Sequence, residues 1–243
     1  PAGRRVSRET LRARIEEALR LDIIEGTLGP GTRLRVEGLA QEYGVSPTPI
    51  REALQRLAAE NFVTLDPRVG ASVTRLSARE LREVYWLRDL LECAALRRSI
   101  EVGDAKWEES VQSAWTGFLP LLTAGRSDIL AWSRVHRAFH AATMSAAASQ
   151  WLAHFVSMLQ NQSERYQILS VKTASRDSLG EHQSIYRAVM ARDVEAAVEA
   201  HRNHLLTTVS LLEPGLRAQS GEGAAAALEA GRVDRASMGE QGT

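Results

Sequence analysis

Histidine is distributed unevenly along this chain of 243 residues. All six histidines lie in its C-terminal half, at positions 136, 140, 154, 182, 201 and 204. His136 and His140 are four residues apart in SRVHRAFHAATM, so a helix places both imidazoles on one face, as two ligands of one metal require. If the helices that carry His182 and His204 surround the same interior, four imidazoles can converge on one divalent ion.

Imidazole nitrogen is a borderline-soft ligand, so such a set suits zinc, nickel, copper, cobalt or iron better than calcium or magnesium. A simpler explanation stays open, because paired histidines also arise by chance on half-exposed helices, and His182 then merely follows Glu181 near a helix start. A metalloenzyme would need a positioned general base, and no HExxH or paired-carboxylate motif adjoins these histidines. We therefore expect a binding protein and not an enzyme.

A second set of chemically capable side chains lies in GVSPTPIREALQRLAAENFV, residues 44–63. Gly44 permits a sharp turn, Ser46 can accept a hydrogen bond from the next turn's amides, and Pro47 fits the first helical position. A helical stripe of Ile50, Leu54 and Leu57 faces inward. Thr48, Arg51 and Gln55 then point outward. Arginine suits guanine, glutamine suits adenine, and threonine suits phosphate or a thymine methyl group, although any surface helix exposes such residues.

The flanking sequence supplies the elements that would position this helix. Upstream, Leu11, Ile15, Leu19 and Ile23 form one side of a helix that ends at Gly26, and a short helix over 36–43 precedes Gly44. Downstream, FVTLDPRVGASVTRL alternates around a turn in which Gly70 supplies a positive φ, which predicts a two-stranded hairpin. Together these patterns predict a winged helix-turn-helix.

This region resembles the GntR family of bacterial transcription regulators, through PGTRLRVEGLAQEYGVSPTPIREALQRLAAENFV and the wing PRVGASV. The resemblance implies that the operator is contacted by Ser46, Thr48, Arg51 and the wing from Arg68 to Gly70, while Arg33 and Arg35 hold phosphates. Gln55 joins this set because it shares the outward face of Arg51. Many relatives carry arginine where this chain has Pro47, which implies an altered operator preference.

A change in pattern near Ser77 predicts a second domain. Ser77 and Glu80 form a capping-box signature, and no strand alternation follows before residue 213. The predicted helices span 78–102, 104–124, 127–147, 149–171, 175–191 and 193–212. We therefore expect a mainly α protein with a DNA-binding domain over 1–76, an all-helical bundle of six or seven helices over 77–213, and a disordered, Gly- and Ala-rich tail over 214–243.

The second domain resembles the FCD-type effector domain of FadR-like GntR regulators. Many such domains bind a divalent metal through one acid and three histidines. The resemblance places these ligands at His136, His140, His182 and His204, with Phe139-His140 and Glu181-His182 matching two of the family's residue pairs. His136 replaces the usual aspartate, which leaves the site one charge more positive. We expect a divalent transition metal, zinc first and nickel second, with a metal-free pocket as the alternative.

The resemblance also implies a small-molecule effector, commonly a carboxylate, bound inside the bundle. Arg88 is a candidate to clamp this anion, although Glu92 stands four residues later and a helix salt bridge is the slightly favoured alternative. Arg165 and Tyr166 are weaker candidates on a helix expected to border the cavity. His201 is expected just off the pocket, and His154 is expected to face solvent or a partner.

The expected function is a DNA-binding regulator, with repression the commoner outcome in the family and a metal-responsive regulator as the alternative. A homodimer on a palindromic operator, controlled by the effector, is implied by the resemblance. Thirty basic and thirty acidic residues balance, so we expect modest non-specific DNA affinity. The absence of a membrane-length apolar run and of a signal-peptide layout predicts a cytoplasmic location without membrane partners. The lone Cys93 is expected to be buried and inert.

Overall fold

The computed structural model describes residues 8–123, 128–172 and 176–220. The N-terminal domain contains three helices and three strands, in the order α1 (Arg8–Glu25), β1 (Arg33–Leu34), α2 (Val36–Glu42), α3 (Pro47–Ala59), β2 (Val63–Asp66) and β3 (Gly70–Val73). The strands form one antiparallel sheet in the order β1-β3-β2. The predicted winged helix-turn-helix is confirmed, with β1 as a short additional strand that the sequence pattern did not indicate.

The inward stripe of α3 forms the centre of this domain's core. Ile50 and Leu57 are fully buried, and they belong to one apolar cluster with Ile15 and Leu19 of α1. Burial of each such side chain contributes about 1.5–3 kcal/mol relative to exposure. The packing of α1 against α3 therefore fixes the orientation of the opposite, exposed face of α3.

The turn before α3 forms as predicted, but the expected cap does not. Gly44 has a φ of 64°, a left-handed conformation that glycine adopts readily. Ser46 occupies the N-cap position, yet its side chain makes no capping hydrogen bond. Pro49 stands at the third helical position and has no amide proton, which removes one of the two amides that such a cap can use. The prediction of a Ser46 cap was wrong.

The C-terminal domain is an all-helical bundle, as predicted. Its elements are α4 (Ala78–Val102), α5 (Ala105–Thr123), α6 (Ile129–Met144), a short 3-10 helix (Ser145–Ala147), α7 (Gln150–Val171), α8 (Ser178–Met190) and α9 (Val194–Ser220). Ser77 caps α4 by accepting a hydrogen bond from the Glu80 amide at 3.2 Å. The α4 helix packs against both α7 and α9, the two other long helices of the bundle.

The last helix is longer than predicted. The expected tail over 214–243 is wrong at its start, because α9 continues through Pro214 to Ser220. A proline inside a helix costs about 3 kcal/mol. Leu212 and Leu216 are buried in a cluster with Tyr166, and each contributes about 1.5–3 kcal/mol, which offsets that cost. The rest of the expected tail, 221–243, lies outside the described residues.

In the part of the chain that the structure describes, no helix combines the length and apolar character needed to cross a membrane.

Candidate metal centre and DNA-reading helix

Four histidines from three helices meet inside the C-terminal bundle. His136 and His140 lie on α6, His182 lies on α8 and His204 lies on α9, and each is at most 4% exposed. One ring nitrogen from each lies within 4.8 Å of those of the other three. The Nε2 atoms of His136 and His140 are 3.1 Å apart. The structure therefore brings together all four residues that the sequence predicted as ligands.

Hydrogen bonds outside the cluster orient two of these rings. The Nδ1 atom of His182 lies 2.6 Å from the Ser178 carbonyl oxygen, which can only accept, so Nδ1 carries the proton. Its Nε2 is then a free acceptor, and this buried atom has no hydrogen-bond partner. His204 Nδ1 lies 2.8 Å from Glu181 Oε2. Metal-ligating histidines are held in this way by a carbonyl or carboxylate on the nitrogen opposite the metal.

The electrostatic environment keeps these imidazoles neutral. Burial lowers the pKa of His182 to about 3 and lowers the pKa of His136, His140 and His204 well below the ordinary value. The neighbouring histidines and buried arginines lower these pKa values further. Only a neutral imidazole can donate a lone pair to a metal, so the cluster is already in the protonation state that ligation requires.

An ion-paired group lies beside the cluster. Arg88 Nε donates to Glu92 Oε1 at 2.6 Å, and the other carboxylate oxygen of Glu92 lies 2.9 Å from His201 Nε2. Burial alone would raise the pKa of Glu92, but the charge of Arg88 and the hydrogen bond from His201 lower that pKa to about 2. The helix salt bridge considered for Arg88 therefore forms. His201 lies just off the cluster, with its ring centre 5.3 Å from that of His140.

A very small cavity of about 10 Å³ borders these groups. Its lining residues are Arg88, Trp132, His136, Gln167, Arg176, Ser178, His182, His204 and Thr208. Arg176 was missed by sequence reasoning. Its guanidinium pairs with Glu181 at 2.7 Å and donates to the hydroxyl groups of Ser170 and Thr208. Its position just before Asp177 and the Glu181-His182 pair was the signal that could have found it.

Arg165 and Tyr166 do not join the histidine cluster. Tyr166 donates its hydroxyl proton either to the Ser77 carbonyl or to Glu80, at the junction between the domains. Arg165 donates to the carbonyl of Thr74, just after β3. The structure thus places both residues against the interdomain connection, because they lie on the faces of α7 that meet β3 and α4. Of the predicted effector residues, only Arg88 borders the histidines.

The predicted DNA-contacting residues of the N-terminal domain are all exposed. They are Arg33, Arg35, Ser46, Thr48, Arg51, Gln55, Arg68 and Gly70. Arg51 makes a solvent-exposed ion pair with Glu37 of α2, 3.3 Å between Nη2 and Oε1. Arg33 donates to the carbonyl of Val69 at the wing tip, which holds the wing next to β1. Asp66 accepts from the amides of Arg68 and Val69, which closes the turn before Gly70 at a φ of 94°.

Comparison with known proteins decides the family. The model of the bacterial regulatory proteins of the gntR family matches residues 6–73, and the FCD domain model matches residues 83–207. The chain belongs to the GntR family of bacterial transcription regulators, in its FCD-containing branch. The expectation of a transcription regulator and not an enzyme is therefore confirmed.

Individual relatives align with most of this chain. The uncharacterised HTH-type transcriptional regulator BphR of Paraburkholderia xenovorans is 36% identical over 202 residues, 81% of this chain and 82% of that protein. The HTH-type transcriptional repressor GlaR of Escherichia coli is 30% identical over 207 residues, 82% of this chain and 94% of that protein. A crystal structure of a GntR-family regulator from Pseudomonas syringae pv. tomato shares 32% identity, covers 88% of this chain and 90% of its own, and has a TM-score of 0.51.

Proposed function

We propose that this GntR-family regulator is a repressor whose operator affinity is controlled by a small carboxylate, bound at a divalent transition metal inside the FCD domain. The observation that carries the proposal is the convergence of four buried, neutral imidazoles. Repression is supported by the name of GlaR, a transcriptional repressor that aligns with most of this chain.

The donor set fits a metal. His182 Nε2 and His140 Nδ1 are buried polar atoms without partners, an arrangement that normally costs about 1–3 kcal/mol for each atom. Rotation of the His140 ring can aim either of its nitrogens at the centre of the cluster. When bound, the ion would supply a Lewis acid for a carboxylate. Four nitrogen ligands favour zinc, with nickel as the second choice.

Glu181 offsets part of the extra positive charge that histidine, in place of aspartate, leaves at position 136. An aspartate there would lower the net charge of the site by one unit. The Glu181 carboxylate lies next to His204, so it stabilises the positive charge that ligation places on that imidazole. We therefore propose that the metal is retained in spite of the neutral ligand at 136.

Arg88 and Arg176 are the cations placed to bind the effector's carboxylate. The cavity beside them holds roughly one water molecule, so an effector must displace existing contacts to enter. Arg88 is tied to Glu92 within one helix, whereas Arg176 lies in the segment that precedes α8. We propose that Arg176 exchanges its contact with Glu181 for the effector carboxylate, and that Arg88 gives the site its positive potential.

The exposed face of α3 is proposed to enter the major groove of a palindromic operator. Arg51 would bind guanine in a bidentate manner, Gln55 would bind adenine, and Thr48 would contact a phosphate or a thymine methyl group. Arg51 must leave Glu37 to do so. The pair is solvent-exposed, so its rupture costs about 1 kcal/mol or less. Phosphate contacts are assigned to Ser46, Arg33, Arg35 and the wing from Arg68 to Gly70.

A homodimer is proposed to present two such helices. Two neighbouring helices expose apolar faces to solvent: Trp86 and Leu90 on α4, and Trp151, Phe155 and Met158 on α7. Trp151 is 74% exposed and Trp86 is 63% exposed, which is typical of surfaces that a partner covers. A second copy is the occupant that a two-fold symmetric operator requires.

Two alternatives use the same residues. In the first alternative the metal itself is the signal, and operator affinity follows metal concentration without any carboxylate. In the second alternative the pocket binds the effector directly, and the four imidazoles act only as hydrogen-bonding groups.

The test is a titration of operator DNA by fluorescence anisotropy. The probe is a palindromic duplex selected by the protein from a random library, and the protein is metal-loaded or metal-free. Added carboxylates such as lactate, gluconate and citrate should change the operator affinity of the metal-loaded form only. A response to zinc alone would favour the metal-responsive alternative, and a carboxylate response without metal would favour direct binding. Absence of any response to metal or carboxylates would contradict the proposal.

A further inference from the structure

A second, much larger cavity lies between the two domains. Its volume is about 410 Å³, which is within the range of small-molecule sites. The lining residues are Ile23, Ile24, Pro30, Arg75, Leu76, Arg165, Ile168, Leu169, Lys172, Leu216 and Gln219. None of these residues belongs to the histidine cluster or to its small cavity. Neither the family comparisons nor the proposed control by a metal-bound carboxylate assigns a role to this space.

Arg165 is the polar group that points to a ligand here. The residue is 8% exposed, and among the described residues its one hydrogen bond joins Nη1 to the carbonyl of Thr74. Across the described residues, no carboxylate lies within ion-pair distance of its guanidinium. Burial consequently lowers the pKa of Arg165 below the ordinary arginine value. Glu80 exerts only a longer-range attraction on this cation. A buried cation without an ion-pair partner is unfavourable, and an anion in the cavity would relieve that cost.

Two further cations stand around the same space. Lys172 donates to the carbonyl of Ile24 at 2.9 Å, and Arg75 lies directly beside Gly31. Within the described ranges, neither makes an ion pair with a carboxylate. Among the described residues, the cavity lining contains three basic residues and no acidic one. Its electrostatic potential is therefore favourable for an anion.

Apart from Gln219, the remaining described walls are apolar. Ile23 and Ile168 are at most 6% exposed, and Leu216 is buried as well, so these side chains form a stable surface. Ile24 and Leu169 complete this surface as partly exposed apolar residues of the lining. An inorganic anion would leave this apolar surface without a ligand group to contact. A ligand with a charged head and a hydrocarbon tail would satisfy both parts of the cavity.

We propose that this interdomain cavity is a second ligand site, which binds a small amphiphilic anion of the medium-chain carboxylate class. The carboxylate pairs with Arg165, assisted by Arg75 and Lys172, and the tail packs against the isoleucine and leucine side chains. One wall comes from α1 and the connection after β3, and the other comes from α7 and α9. The ligand therefore bridges the domains and stabilises their present orientation.

The test is calorimetric titration of the metal-free, full-length protein with octanoate, acetate and 1-octanol. Octanoate should bind, whereas acetate lacks the tail and octanol lacks the charge, so each should bind at least tenfold more weakly. Arg165→Gln should weaken octanoate binding at least tenfold. Leu169→Asp places a negative charge on a half-exposed wall position without disturbing the core, and it should weaken binding to a similar extent. His140→Ala, which alters the other site, should leave octanoate affinity within twofold of wild type.

Several outcomes would overturn the proposal. They are absence of octanoate binding to the wild type, equal binding of octanol, unchanged affinity in both Arg165→Gln and Leu169→Asp, or loss of binding in His140→Ala. Removal of residues 221–243 gives a further control. Unchanged octanoate affinity in that shortened chain supports the proposal, whereas binding that appears only after removal means that the C-terminal segment occupies the cavity and contradicts it.

Discussion

Arg20 of α1 and Glu164 of α7 form an ion pair that joins the two domains, with 3.1 Å between Nη1 and Oε2. Glu164 also accepts a hydrogen bond from Ser133 at 2.6 Å and pairs with Arg137 at 2.8 Å, both on α6. Ser133 and Arg137 lie on either side of His136 in the sequence. Arg20 in turn pairs with Glu60, the residue that caps the C-terminal end of α3. Charged contacts therefore run from α6, the helix that carries His136 and His140, to the C-terminal end of α3.

Replacement Glu164→Gln should uncouple the two domains. The neutral amide keeps the shape but removes the charge that holds both Arg20 and Arg137, so operator affinity should no longer follow the effector. Because Arg20 retains Glu16 and Glu60, the free energy of unfolding should fall by only roughly 1–3 kcal/mol. Operator titrations with and without effector measure the coupling.

Glu17→Gln is the matched control for that variant. Glu17 also pairs across the domains, with Arg134, but both side chains are more than half exposed. The Glu17→Gln variant should leave the effector response intact. A full effector response in Glu164→Gln would show that this ion pair does not transmit the signal.

Arg51→Ala should weaken specific operator binding by roughly 1–3 kcal/mol, because a bidentate contact to guanine is lost. Arg187→Ala removes an equal charge from an exposed position on α8 and should have little effect. Anisotropy titrations on the operator and on an unrelated duplex measure both. An equal loss on the two duplexes would mean that Arg51 contributes only charge and does not read bases.

The metal-free protein should lose stability as the pH falls below about 6.5, the ordinary histidine value. Burial lowers the pKa of His182 to about 3, so the unfolded chain takes up a proton in this interval and the folded chain does not. Each such histidine reduces the free energy of unfolding by about 1.4 kcal/mol per pH unit between its two pKa values. Urea unfolding at several pH values measures the slope.

The comparison variants for this pH effect are His182→Asn and His154→Gln. The first should flatten the slope between pH 6.5 and 4, and the second should not, because His154 is exposed. An unchanged slope in His182→Asn would contradict the assignment of a strongly lowered pKa to this residue.

Trp151→Asp should shift the protein from dimer to monomer. A charge in the centre of an apolar interface cannot be solvated, whereas at the present 74% exposure it costs the monomer little. Light scattering coupled to gel filtration measures the mass. Two results would show that this face is not a dimer interface: an unchanged dimer in the variant, or a monomeric wild type.

Much of this architecture could be predicted because it depends on local sequence. The α4 helix has the predicted bounds, 78–102, since the Ser77 side chain caps its start and Gly103 follows its end. The Ser46 cap does not form, and the prediction had left out that Pro49 removes one of the two amides that such a cap can use. The length of α9 was missed because the burial of Leu216 against Tyr166 is a tertiary contact that overrides the local signal of Pro214.

The site could be predicted only in part for a similar reason. The four histidines were recovered because their spacing and neighbours follow a pattern. Arg176, by contrast, acts through the geometry of a connecting segment, and the direction of Arg165 on α7 depends on how the two domains pack. Neither property is contained in the spacing of residues along one chain.

Elemental mass spectrometry of the untagged protein tests whether the four histidines hold a metal. We expect about one divalent transition metal ion per chain in the wild type and in His154→Ala, and its loss in His140→Ala. Absence of metal from the wild type after reconstitution with zinc and nickel, or full retention in His140→Ala, would contradict this expectation.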